Sequence, residues 1–163
     1  RFLQPIALDD WIPFIRDKFE ANGQSISDEQ ITRICETVEF QSSYVQQLAW
    51  EVMLYSDEVV SDAAMDEAVN DLIDQNSTLF LQQTEGLSSY QMNFLKALAA
   101  GAPSDFTSSA ILKKYNLGSK SNISRIQETL IKKELIEKSG RKVTIADPVF
   151  RLWMLRENSN SLM

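Results

Sequence analysis

Residues 118–148 read GSKSNISRIQETLIKKELIEKSGRKVTIADP, and the fold turns on how they are parsed. Gly118 closes a compact helix over TSSAILKKYNLG, residues 107–118. Ser119 or Lys120 then opens a second helix, with Ile123, Ile126, Leu130 and Ile131 on its inward face. Ser121, Asn122, Arg125, Glu128, Lys132 and Lys133 lie on the outward face. Two short runs follow, Leu135–Lys138 and Lys142–Ala146, joined around Ser139-Gly140, with Val143 and Ile145 alternating against Thr144. That alternation across a glycine turn predicts a β-hairpin. Helix, tight turn, helix and hairpin in this order predict a winged helix. Asp147-Pro148 caps a last helix with proline at its first position. The remaining residues, 157–163, are expected to form a disordered tail.

The same stretch invites a second parse, as a phosphate-cradling loop. Such a loop needs G-x-x-x-x-G-K-[ST], because consecutive backbone N–H groups must converge on the phosphates. Gly118 is the only glycine near Lys120, and a helix rather than a strand precedes it. None of the glycines at 23, 86, 101, 118 and 140 lies in that motif or in G-x-G-x-x-G. No self-contained nucleotide-hydrolysing site is expected.

Composition narrows the chemistry further. The 163 residues contain no histidine, which removes His-based triads, imidazole metal sites and the commonest general base. Cys35 is the single cysteine, so no internal disulfide and no thiolate zinc cluster can form, and a reducing, cytoplasmic compartment is expected. The first residue is Arg1 rather than Met, as expected of a processed or cut chain. No apolar run is long enough to span a membrane, and no membrane partner is expected. Charge is unevenly divided. Residues 1–83 carry 4 basic and 16 acidic side chains, and residues 84–156 carry 12 basic and 6 acidic ones. An acidic half joined to a basic half predicts two domains that meet different partners.

The acidic half reads as helices with legible ends. LDDWIPFIRDKFEANG, residues 8–23, has Asp9 as its expected N-cap, Pro13 in the first turn, and Trp11, Ile12, Phe14, Ile15 and Phe19 on one face. Asn22-Gly23 supplies the left-handed stop. Ser27 and Gln30 stand at capping-box spacing before Ile31, Ile34, Cys35 and Val38. Cys35 therefore reads as a small core residue. A third helix runs from about Ser43 to Tyr55, with Val45, Leu48, Ala49, Val52 and Met53 at helical spacing. A fourth begins near Ser61, with Val60 and Met65 at the spacing of a hydrophobic staple. Its Asp62, Asp66, Glu67, Asp71 and Asp74 form a solvated face, because the oxygen-ligand loop of a calcium site is missing. No metal site is expected. The boundary falls in QQTEGLSS, residues 82–89, after which Ser88 and Gln91 open a helix ending at Gly101, and APSDF, residues 102–106, is a short extended connection.

Five segments resemble the C-terminal half of archaeal-type P-loop ATPases, STAND-class relatives of AAA+ proteins. They are residues 8–23; SYVQQLAWEV, 43–52; QNSTLFLQQTEGLSSYQMNFLKALAAG, 75–101; LGSKSNISRIQETLIKKELI, 117–136; and ADPVFRLWM, 146–154. The resemblance covers nearly the whole chain. It implies a mainly α fold: a helical lid-like bundle over residues 1–83, then a winged-helix domain over residues 84–156. It also implies a parent protein that binds and hydrolyses ATP with magnesium on an N-terminal core outside this chain. The fragment itself then needs no cofactor and has no catalytic residue. In such proteins the lid nears the nucleotide at a turn before the YVQQLA-like helix. That carries over to Ser42, Tyr44 and Gln47, with Ser42 where the family commonly has a proline; Tyr44 and Gln47 fit equally as packing residues of the lid.

Two functions of the basic half remain open on these residues. Lys120, Ser121, Asn122 and Arg125 at the helix start, with Lys138, Arg141 and Lys142 on the wing, form a candidate surface for double-stranded DNA. The alternative is a protein-interaction or autoinhibitory module without DNA binding, for which Glu128 in the middle of that face is suited.

Overall fold

The computed structural model describes residues 4–102, 106 and 108–161. The chain divides into two compact units, residues 1–75 and 76–163. The division falls inside a helix, at Gln75, rather than in the 82–89 loop where the change in composition put it.

The acidic unit is built from α1 (Leu8–Ala21), α2 (Asp28–Thr37), α3 (Ser42–Tyr55) and the first part of α4 (Asp62–Thr84). In α1, Trp11, Ile15 and Phe19 recur every four residues and are buried, whereas Phe14 is 46% exposed. Asp9 does not cap this helix. The N-cap is Ala7, without a side-chain bond, and Asp9 and Asp10 sit in the first turn, where their charge suits the helix dipole. The earlier start also leaves Pro13 in the body of the helix, beyond the first turn, where its missing N–H removes one backbone bond. Gly23 (φ +74°) ends the helix: its N–H donates to Glu20 O at 3.0 Å and Gln24 N–H donates to Phe19 O at 2.9 Å.

Both bonds of the Ser27–Gln30 capping box are present at the start of α2. Ile31, Ile34, Cys35 and Val38 are fully buried, and burial followed by the charge of Glu36 raises the Cys35 thiol to about 11. The thiol therefore stays protonated and inert near neutrality. Gln24, itself buried, donates to Met53 O at 3.0 Å and Ser56 O at 2.9 Å, satisfying carbonyls at the end of α3. Ser61 Oγ accepts from Ala64 N–H at 3.1 Å at the start of α4. Arg33 pairs with Asp62 and Asp66, so two of the acidic residues on α4 tie it to α2. Among the described residues no group of three or more His, Cys, Asp or Glu is placed to hold a metal ion.

The basic unit continues α4 and adds α5 (Ser89–Ala99), α6 (Ser109–Lys114), α7 (Lys120–Lys132), β1 (Ile136–Ser139), β2 (Lys142–Ile145) and α8 (Pro148–Ser161). Residues 157–161, expected as a disordered tail, continue α8 as helix. Asp147 starts that helix as expected: its Oδ1 accepts from Val149 N–H at 2.8 Å and Phe150 N–H at 3.2 Å. α5 packs on α7, α8 and β2, and α7 packs on β1. Phe80, Phe150 and Trp153 form an aromatic cluster with ring centroids 5.3–5.7 Å apart. The Ser88–Gln91 capping box is complete. Most of the expected 102–106 connection lies outside the described residues, although Phe106 is buried against Phe94 at a centroid distance of 4.5 Å.

β1 and β2 pair antiparallel, Ile136 with Ile145 and Ser139 with Lys142, around a two-residue turn of Gly140 and Arg141. Gly140 has φ +61° and Arg141 has no positive φ, the signature of a type II′ hairpin turn with glycine first. A mainly helical chain ending in a helix-turn-helix, a small antiparallel hairpin and a last helix is the architecture expected from the sequence.

Candidate nucleic-acid interface

The interface begins with how α6 stops. Tyr115 is the C-cap of α6, and Asn116 takes the left-handed conformation at φ +54°. Leu117 N–H then donates back to Leu112 O at 2.9 Å. Asn116, not Gly118, is therefore the stop residue, since asparagine tolerates this region better than most side chains. Gly118 has another task. It is also left-handed, at φ +81°, and a Cβ built on it would lie 3.1 Å from Tyr90 Cζ. The ring of Tyr90, from α5, lies directly against the glycine, and Asn93 Nδ2 donates to Asn116 O at 2.9 Å. Two side chains of α5 thus hold the turn that aims α7.

α7 starts at Lys120 with Ser119 as N-cap, but the Ser119 side chain does not bond the first-turn N–H groups. Its hydroxyl lies 3.0 Å from that of Ser121 instead. Ile123, Ile126 and Leu130 are buried, while Ile131, expected inward, is 41% exposed. Three apolar residues fill the arc that contacts β1 and α5, and Ile131 stands outside it near the helix end. Ser121, Asn122 and Arg125 are brought together in one depression with Tyr90, Gly118 and Ser119. Lys120 is exposed in the same first turn but does not line it.

The wing cations do not form one cluster. Cross-strand partners share a face and neighbours along a strand alternate. Lys138, paired with Val143, therefore lies on the face of Ile136 and Ile145, whereas Lys142, paired with Ser139, lies on the opposite face. Arg141 occupies the turn between them. All three are exposed. Lys120, Arg125, Lys132, Lys138, Arg141 and Lys142 form no ion pair among the described residues.

Residues 78–156 match the family model described as a probable winged helix domain. Their fold is that of a winged helix. In it, α5, α6 and α7 are the three helices and β1–β2 is the wing. Over a longer span the chain is similar in fold to a Walker-type ATPase of Pyrococcus abyssi, with a TM-score of 0.69 and 17% identity. The match covers 93% of this chain and 42% of that one, so the chain spans less than half the length of the structure it matches. No curated protein matches the sequence.

The residues expected near a nucleotide lie in the other unit, at the start of α3. Ser42 is its first residue, and Tyr44 is half-buried. Gln47 Nε2 donates to Gln75 Oε1 at 3.0 Å, and Gln75 Nε2 donates to the buried Glu51 at 2.7 Å. Gln47 thus belongs to a chain of polar contacts between α3 and α4. The preceding Glu39 and Phe40 are both left-handed, at φ +51° and +59°, an uncommon pair without glycine. An apolar groove elsewhere in this unit is lined by Trp11, Phe14, Ile15, Ala49, Trp50 and Met53. No described helix is long and apolar enough to cross a membrane.

Tyr90 is the residue bracing the turn before α7 that sequence reasoning missed. It follows the Ser88 cap and reads there as one more aromatic on a helix; nothing in the chain near it points to Gly118.

Proposed function

We propose that the winged helix binds duplex DNA through α7 and the wing, and that the chain is the lid and winged-helix part of an ATP-dependent switch of the STAND class related to AAA+ proteins. The observation that carries the DNA reading is the set of six exposed cations on α7 and the hairpin, none of them neutralised by a carboxylate among the described residues. Unneutralised cations on one helix and an adjoining hairpin gain free energy by releasing counterions from a duplex. Arg125 and Ser121 lie on the outward strip of α7, where a helix docked in the major groove meets base edges and phosphates. The ATPase part of the proposal is supported by the fold shared with the Pyrococcus abyssi protein, of which this chain covers the smaller share. ATP and magnesium would be held by a core outside these residues, with Ser42 and Tyr44 the lid residues nearest to it.

The test is a salt titration of duplex binding by the whole chain. With four phosphate contacts, from Lys120, Lys132, Arg141 and one of the two wing lysines, log affinity should fall against log salt with a slope of about −4. Lys120→Ala and Arg141→Ala should each reduce that slope by roughly one, uniformly across sequences. Absence of binding at low salt would discard the DNA reading in favour of a protein-interaction module, for which exposed Ile131 beside Glu128 is the natural contact.

A further inference from the structure

Ser121, Arg125, Glu128 and Lys132 form the outward strip of α7, opposite the buried Ile123, Ile126 and Leu130. Three of the four suit an anion. Glu128 does not, and it stands between the two cations. Intrahelical ion pairs are possible at its spacing from both Arg125 and Lys132. Neither forms in the structure, and Glu128 is exposed. A helix that served only to grip phosphates would be weakened by a free carboxylate in the middle of its docking face. Like charge repels there, and a carboxylate has only acceptor oxygens to offer.

We infer that Glu128 is the specificity-determining residue of α7 and accepts a hydrogen bond from the amino group of a cytosine in the major groove. The inference rests on the duplex-DNA reading above. Among base edges, cytosine presents an N4 amino donor, guanine two acceptors, and thymine an acceptor and a methyl group. Adenine also has an amino donor, but its N7 acceptor lies beside it and faces the second carboxylate oxygen. Cytosine is thus the base whose own major-groove edge offers a carboxylate a donor with no acceptor beside it. Arg125 complements this choice, since a guanidinium matches the two acceptors of guanine. Three residues of helix separate Arg125 from Glu128, about 4.5 Å of rise. That is near the base spacing of about 3.4 Å along a strand, so the two side chains address neighbouring base pairs. The cations then set affinity for any duplex, and Glu128 removes affinity from duplexes lacking cytosine at its position.

Selection of bound duplexes from a random library by the whole chain, followed by titration of the selected duplex and single-position variants, tests this. The wild-type chain should require cytosine at one position and lose about tenfold or more when it is replaced by thymine. Glu128→Ala should bind every duplex at least as tightly as the wild type, while the ratio at that position falls below about twofold and ratios elsewhere persist. Glu128→Gln, which keeps an acceptor oxygen without the charge, should retain part of the preference. Because Glu128 is exposed, both variants should keep the wild-type circular dichroism and unfolding midpoint. A wild-type ratio preserved in Glu128→Ala, or binding without any cytosine requirement, overturns the inference and leaves the duplex reading intact. A chain that binds no duplex at any salt overturns that reading, and this inference with it.

Discussion

Gly118 shows how one residue can be legible in kind and not in purpose. A glycine between two helical patterns announces a turn, and its φ of +81° agrees. The second constraint, Tyr90 packed 3.1 Å from where a Cβ would lie, comes from another helix and cannot be read locally. Gly118→Ala should therefore cost more than the roughly 1–2 kcal/mol of a left-handed alanine, because Tyr90 must also move. Chemical denaturation should show a loss of about 2–3 kcal/mol, of which Tyr90→Ala in the same chain recovers the steric part, leaving the conformational part. Ile131 makes the converse point. Helical spacing put it inward, but the arc of α7 in contact with its neighbours is narrower than the apolar pattern. Periodicity marks which residues can be buried; the shape of the neighbouring elements selects among them.

At the scale of elements, caps were the most legible feature. Ser27–Gln30 and Ser88–Gln91 both close as capping boxes, and Asp147-Pro148 opens α8. These signals act over three or four residues, so no tertiary information is needed to satisfy them. Asp9 had the right residue type, but the chain enters α1 earlier, at Ala7. The distinction is measurable. Asp147→Ala should lower stability by about 0.5–2 kcal/mol, as followed by Trp153 fluorescence in denaturant, with Asp147→Asn largely sparing it. Asp9→Ala should lose no more than a few tenths, the contribution of an exposed first-turn charge to the dipole. Helix ends were less legible where they lacked glycine. Glu39, Asn116 and Glu134 all take positive φ at such ends, and Leu135 N–H donates back to Leu130 O at 3.0 Å just as Gln24 does to Phe19. There the following apolar residue, not the stop residue itself, decides where the chain turns. The two strands were legible from their alternation, but the turn is Gly140-Arg141 rather than Ser139-Gly140, and Ser139 belongs to β1, paired with Lys142. That register also split Lys138 from Lys142, a separation the basic composition of the tip had hidden.

For the whole molecule, charge is the property that composition states best. Residues 1–75 carry 16 acidic and 4 basic side chains, and residues 76–163 carry 7 acidic and 12 basic ones. Of the acidic unit's carboxylates, Asp28, Asp62 and Asp66 have an arginine partner, and most of the others are exposed. Self-repulsion of such a surface opposes the compact state, and added salt screens it. Raising sodium chloride from about 0.02 to 0.5 M, well past the range over which exposed charges are screened, should raise the melting temperature reported by Trp11 and Trp50, whose emission belongs to this unit. A fall would mean that the Arg16 and Arg33 ion pairs outweigh the repulsion. By itself the sequence determined the helical and hairpin segments, the two capping boxes, the charge division and the absence of a phosphate loop, because each is a property of neighbouring residues or of composition. Only the tertiary structure decided that the division falls inside α4, that Tyr90 braces the turn before α7, and that the wing's cations face two ways. Those depend on which surfaces meet across long stretches of chain, and packing between distant residues leaves no periodic mark in either of them.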